Sequence, residues 1–250
     1  MYKNFIFIYV LIILFSGCAS NSNIKSVFQT QKANEISKDY KQIMNYLHKY
    51  KVKLDKRNPK YYNKTLEKAI YSQINSGETF VTLRDFDGKK LQNFKQYLDL
   101  AFDKKGLLNR NDYLILGVYY MIYDAYLIAG QHKFTALNYD KEKLEKLYKN
   151  LHILKWKIRT SKDINGNYLF LTWQNNWQVE YMKKRFDDLN NLKDLKSIVE
   201  NKESLLSHSN FSFEVLLSLM IHKVENSLED IGAEPSDITF DTLTSLVFII

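Results

Sequence analysis

The sequence predicts an all-α fold, a single multi-helix bundle around one buried central helix. Three observations predict it. Eight glycines and two prolines in 250 residues are far fewer than a turn-rich β-sandwich would use. Apolar residues recur every three or four positions through most of the chain, the spacing of a helix with one buried face. Finally, 45% hydrophobic and 14% aromatic residues supply a sizeable core and argue against disorder.

The chain opens with Lys3 and an unbroken apolar run from Phe5 to Phe15, followed by Ser16-Gly17-Cys18. Such a run is shorter than the roughly 20 residues a helix needs to cross a bilayer. A basic start, a short apolar stretch and a small-residue exit are the layout of a secretory signal peptide. The only cysteine of the chain follows those small residues, so no internal disulfide and no cysteine-based zinc site is available.

Phe15-Ser16-Gly17-Cys18 resembles the lipobox of bacterial lipoprotein signals, roughly Leu-Ala/Ser-Gly/Ala-Cys, with phenylalanine where leucine is usual. The resemblance implies acylation of the Cys18 thiol, cleavage before it and acylation of the freed amine. Several acyl chains anchor stably where one is marginal. Ala19 and Ser20 follow in place of an aspartate, which in Gram-negative lipoproteins resembles cargo sent to the outer membrane. The expected layout is a signal peptide over 1–17, a lipid anchor and tether over 18–35, and a helical domain over 36–250. The small polar stretch from Ala19 to Ser26 suits a flexible spacer.

Ile36, Tyr40, Ile43, Leu47, Tyr50 and Leu54 line one face of the first helix. Asn58-Pro59 is expected to stop it and start a second, with Asn58 as N-cap and Pro59 in the first turn. Tyr62, Leu66, Ala69 and Ile70 form the face of that helix and Gly77 its end. Glu78 to Asp87 alternates like a strand, but it is short and closes at Gly88, so it reads as a loop or edge element. Leu91, Phe94, Leu98 and Ala101 make a third helix ending by Gly106.

The stretch from Tyr113 to Ala129 is apolar all round and predicts the central helix, about 113–130. A transmembrane span is the competing reading. Its borderline length, Asp124 and five tyrosines fit a packed core better, because each hydroxyl wants a partner. Asp124 is then expected to be a buried carboxylate met by tyrosine hydroxyls or a lysine.

Leu144, Leu147, Leu151, Leu154 and Ile158 form the clearest amphipathic stripe. Around Asn165-Gly166 a helical hairpin is expected in preference to a β-hairpin. Phe170, Trp173, Trp177 and Tyr181 continue at helical spacing, with Met182, Phe186 and Leu189 behind them. Leu192 to Val199 reads as a short helix and Phe211 to Ile231 as a longer one. Ser236-Asp237 is expected to cap a last helix through Leu243, Leu246, Val247 and Ile250 that docks into the core. No repeat period supports a solenoid.

Chemistry is scarce. His48, His132, His152, His208 and His222 are scattered without metal-ligand spacing, and no metal site, cofactor or catalytic residue is expected. Asp163-x-Asn165-x-Asn167 imitates a calcium loop, but its glycine falls two places early and Gln174 stands where a glutamate is needed. It reads as turn chemistry. No nucleophile elbow, phosphate loop or dinucleotide fingerprint is present. Neither is the Glu-Ser pair or Gly-Leu-Met-Gln run of lytic transglycosylases.

Charge is concentrated rather than general. The formal +8 rests on 31 lysines and only five arginines. With abundant Asn, Ile and Tyr, this is the signature of A/T-rich codons rather than of nucleic-acid binding, where arginine's bidentate fork is favoured. Lys38 to Lys68 alone carries a net +7, equal to the whole mature chain once Lys3 is lost. Lys49, Lys51, Lys53, Lys56, Arg57, Lys60 and Lys64 are therefore the candidates for contact with anionic lipid headgroups or peptidoglycan. Trp173, Asn176 and Trp177, two indoles four apart amid amides, are candidates for stacking on sugar rings. The expected function is a non-catalytic, lipid-anchored binding or scaffolding protein of the outer membrane facing the periplasm. The alternative is a peptidoglycan hydrolase or transferase without a recognisable motif.

Overall fold

The computed structural model describes residues 20–77, 79–126, 139–184, 189–204, 211–234 and 248. Among these residues the fold is all-helical, with eight α-helices and no strand. In order they are α1 (Ser20–Arg57), α2 (Lys64–Ser76), α3 (Phe94–Ala101), α4 (Arg110–Ala125), α5 (Lys141–Thr160), α6 (Asn176–Lys184), α7 (Lys196–Val199) and α8 (Phe211–Asp230). Short 3-10 turns occupy Pro59–Tyr61 and Leu189–Asp194. The signal segment and Cys18 lie outside the described residues.

The first helix is longer than its apolar face suggested. It begins at Ser20, so the stretch expected to be a flexible tether is helical. Extending an existing helix costs little per residue, even through small polar side chains, and Ala33 is already buried. Ile36, Ile43, Leu47, Tyr50 and Leu54 then lie along α8, which buries Phe213, Leu217, Met220, Val224 and Leu228. An ion pair of 2.9 Å between Lys223 and Asp39 joins the two helices.

Pro59 cannot donate to the helical ladder, and α1 stops before it. Contrary to the expectation from sequence, Asn58 does not cap the next helix. Its side chain is buried, donates to the Leu54 carbonyl at 3.3 Å and accepts from the Leu171 amide at 2.8 Å. Asn63 is the cap of α2, accepting from the Thr65 amide at 2.9 Å. Gly77 closes α2 in the left-handed region, at φ 68°.

α4 occupies the centre, against α1, α2, α3 and α5. Leu114, Ile115, Leu116 and Ile122 are wholly buried. At Gly117 a Cβ would come within 2.7 Å of the Leu98 side chain, so the close approach of α3 requires glycine. Among the described residues no helix is long and apolar enough to cross a membrane. The tyrosines anchor loops: Tyr113 donates to the Arg84 carbonyl at 2.6 Å and Tyr120 to the Val81 carbonyl at 2.8 Å. Tyr126 and Ser227 share a hydroxyl hydrogen bond of 2.9 Å.

Asp124 corrects the sequence reading. It meets a lysine as expected, Lys143 at 3.3 Å, but it is exposed, because it lies on the outward face of a last turn whose Met121, Ile122 and Ala125 are buried. The helix also starts three residues earlier than Tyr113, at Arg110.

The α5 stripe is buried as expected, from Leu144 to Ile158. The helical hairpin that was expected to follow is absent. After Thr160 the chain makes a tight turn with one antiparallel bridge, Lys162 to Tyr168, and stays irregular until Asn176. Local hydrogen bonding wins here. Asp163 Oδ1 accepts from the amides of Asn165 at 2.9 Å and Asn167 at 2.8 Å, and Gly166 takes φ 79°.

The same turn occurs earlier in the chain. Asp85 Oδ1 accepts from the amides of Asp87 and Lys89, Gly88 has φ 80°, and Arg84 bridges Lys90. Leu91 donates back to Leu83 at 3.0 Å, as Leu169 donates back to Ser161 at 3.0 Å. Each tip exposes a large apolar residue, Phe86 in one and Ile164 in the other. The expected terminal helix lies outside the described residues except for Phe248, which is buried with its ring 6.0 Å from Phe102.

Candidate functional site

An open groove of about 730 Å³ lies beside the second turn. The stripe of α5 opposite its buried leucines forms one wall. His152, Lys155, Trp156, Arg159 and Thr160 share that stripe, at steps of three, one, three and one. Lys162 and Tyr168, paired across the bridge, and Trp173 from the irregular segment form the other wall.

The aromatic rings are fixed in place. Tyr168 and Trp173 meet edge to face at 5.7 Å, and the Trp173 indole donates to the Arg159 carbonyl at 3.0 Å. Trp156 is 46% exposed, which leaves a large apolar ring open to solvent.

Cations stand over these rings. The Arg159 guanidinium lies 5.9 Å from the Trp173 ring and the Lys162 ammonium 4.8 Å from Tyr168. Glu214 of α8 holds Lys155 at 3.3 Å and Arg159 Nε at 3.6 Å from behind. Three cations against one carboxylate leave the groove positive. His152 stacks edge-on against Tyr148 at 4.7 Å, and its Nε2 is buried without a hydrogen-bond partner. Burial, with Lys155 adding to it and Glu225 opposing, holds this imidazole below its ordinary pKa.

A second cluster of charge is sealed instead of open. Lys51 is fully buried, 2.6 Å from Asp55 on its own helix and 2.8 Å from Asp112 in the first turn of α4. Asn111 donates to Asp55 at 3.0 Å and to the Asn58 carbonyl at 3.2 Å. Burial pushes both carboxyls up against the pull of Lys51, and Asp112 reaches about 6. Arg110, also buried, closes the loop before α4 by donating to the carbonyls of Ala101, Asp103 and Lys105.

These arrangements redistribute the residues proposed from sequence. Lys51 is an ion-pair partner in the core, so it cannot meet a membrane or cell wall. Arg57 is half-buried and donates to the Gln174 carbonyl at 2.6 Å and to the Asn176 side chain. Lys53 lies over the Phe213 ring at 5.2 Å. Lys49, Lys56, Lys60 and Lys64 remain exposed.

The tryptophan pair is also split. Trp173 precedes α6 and Trp177 lies within it, so the two do not stack along one helical face. Asn176 takes the Arg57 guanidinium, and Trp177 has a buried indole nitrogen without a hydrogen-bond partner. Trp173 instead joins Trp156 of α5. Spacing along α5 could have identified this stripe: it is the complement of the buried leucines.

Around α6 the polar side chains are structural. Glu203 accepts from the amides of Asn176 at 3.2 Å and Trp177 at 2.9 Å, capping α6. Glu180 of α6 returns the arrangement, accepting from the amides of Lys196 and Ser197 at the start of α7. Hydrogen bonds from Lys184 and Ser197 hold its carboxyl down at about 2.

His48 stacks on Tyr71 and bonds Asn75, and His222 lies 3.3 Å from Glu225. His132 and His208 lie outside the described residues. Among the described residues no group of three metal-ligating side chains converges. Comparison with protein-family models, with curated proteins and with solved structures finds no match for the chain.

Proposed function

We propose that the chain is a non-catalytic, lipid-anchored binding protein of the cell envelope, held at the outer membrane through acylated Cys18 with its helical domain facing the periplasm. Phe15-Ser16-Gly17-Cys18, placed at the end of a short apolar run and holding the only cysteine, carries the reading.

The exposed lysines bear on the partner. At 1.5 Å per residue, Lys49 stands roughly 44 Å along α1 from Ser20, and Lys56 farther still. With α1 upright on the membrane, that distance carries these lysines beyond the headgroups of the anchoring bilayer and favours the cell wall as the surface they meet. A desolvated carboxylate beside an open cleft would favour the enzymatic alternative. Asp124 is exposed, Glu180 caps a helix and Asp112 is sealed with Lys51. None of these favours it.

Metabolic labelling with a palmitate analogue, followed by membrane fractionation, tests the proposal. The wild-type chain should take up the label and sediment with membranes, and Cys18→Ser should do neither. An unlabelled wild type, or a variant that fractionates identically, would remove the anchor from this account.

A further inference from the structure

We infer that the groove between α5 and the second turn binds an acidic saccharide. Three features on its walls point to that class. The first is flat apolar surface: Trp156 is 46% exposed, and Tyr168 and Trp173 are locked edge to face across from it. Pyranose rings present faces of C–H groups that pack on such rings, and each indole or phenol ring loses little conformational freedom in doing so.

The second is the charge. Lys155, Arg159 and Lys162 line the groove, and Glu214 balances only one of them from the α8 side. Arg159 meets Glu214 through Nε, which leaves the outer edge of its fork available for a carboxylate. The third is His152 Nε2, a buried polar atom without a partner among residues lining the same groove. A neutral sugar would use the rings and leave the positive charge unanswered. A bare anion would use the charge and leave the rings wet. A carboxylated sugar answers both.

The site lies on one rigid helix face and a turn whose geometry is set by Asp163 and Gly166, so it is preformed. The inference rests on reading the chain as a binding protein but is independent of its lipid anchor. An assay on purified full-length chain in a zwitterionic detergent therefore separates the two, since loss of acylation would leave the groove unchanged.

The probe is a galacturonate tetrasaccharide, titrated while tryptophan fluorescence is followed, with cellotetraose and tetra-aspartate as comparisons. The expected result is a saturable change with the galacturonate and at least about tenfold weaker binding of either comparison. Trp156→Ala and Lys162→Ala, both at exposed positions, should each weaken binding about tenfold while circular dichroism stays unchanged. Phe86→Ala, at the tip of the other turn, should leave binding intact. No saturable change up to about 10 mM galacturonate would overturn the inference. Equal binding of tetra-aspartate, or wild-type affinity in Trp156→Ala, would overturn it as well.

Discussion

The molecule contains two concentrations of charge, one sealed and one open, and they are built differently. At the α1–α4 seam, Lys51, Asp55 and Asp112 are shut away from water, and every cation–carboxylate distance is below 3 Å. In the groove beside α5, Lys155 and Arg159 reach Glu214 at 3.3 and 3.6 Å, and Lys162 and Arg159 stand over rings. In the seam, removing a partner strands a charge where no solvent can replace it. Around the groove, water stands in for any lost partner, so those charges remain available to a ligand. The difference separates architecture from recognition more clearly than residue type does, since lysine serves in both.

Substitution should expose that difference most strongly at Lys51. Lys51→Met leaves two buried carboxylates without their cation and should cost about 3–5 kcal/mol in urea unfolding. Arg159→Ala, at a side chain 51% exposed, should cost less than about 1 kcal/mol. Comparable losses at the two sites would erase the distinction.

Asp112 offers a test through pH. Its folded pKa of about 6 lies above its ordinary 3.8, so its contribution is fully present below about pH 4 and is lost as pH rises through 6. Relative to Asp112→Asn, the wild type should lose on the order of 2–3 kcal/mol across that interval. Parallel stability curves for the two proteins would count against a desolvated carboxyl at this position.

The twin turns provide a finer comparison. Gly88 and Gly166 both have φ near 80° and open space where a Cβ would go. Alanine at either should cost about 1–2 kcal/mol through backbone strain alone. Only Gly166→Ala should also weaken saccharide binding, because only that turn borders the groove. The smallest effect belongs to Trp156→Ala, within about 0.5 kcal/mol by thermal unfolding, since the side chain is 46% exposed and stands outside the core. A large loss there would make Trp156 a core residue and close the groove to ligands.

Much of this fold was legible in the sequence because apolar spacing reports directly on buried faces. The stripe from Leu144 to Ile158 and the face from Ile36 to Leu54 are buried as read. The failures fall where local hydrogen bonding or chain context overrides spacing. Trp173 and Trp177 have helical spacing, but the Asp163 turn and irregular chain before Asn176 break the helix between them. Asn58 has the composition of a cap, and burial converted it into a cross-link to Leu171. The twin of the Asp163 turn was visible as Asp85-Phe86-Asp87-Gly88, but its shared geometry emerges only from the hydrogen bonds.

The sequence by itself determined the helical class, the positions of the main amphipathic faces and the location of the single cysteine. These are local or periodic properties, set by spacing and composition along the chain. Only the tertiary structure decided which lysines are surface and which are core, and which tryptophans share a site. Lys51 and Lys49 are two residues apart, yet one is sealed between carboxylates and the other is exposed. Trp156 and Trp173 belong to different elements, yet they line one groove. Burial and proximity depend on contacts between distant segments, and no window of sequence contains both sides of such a contact.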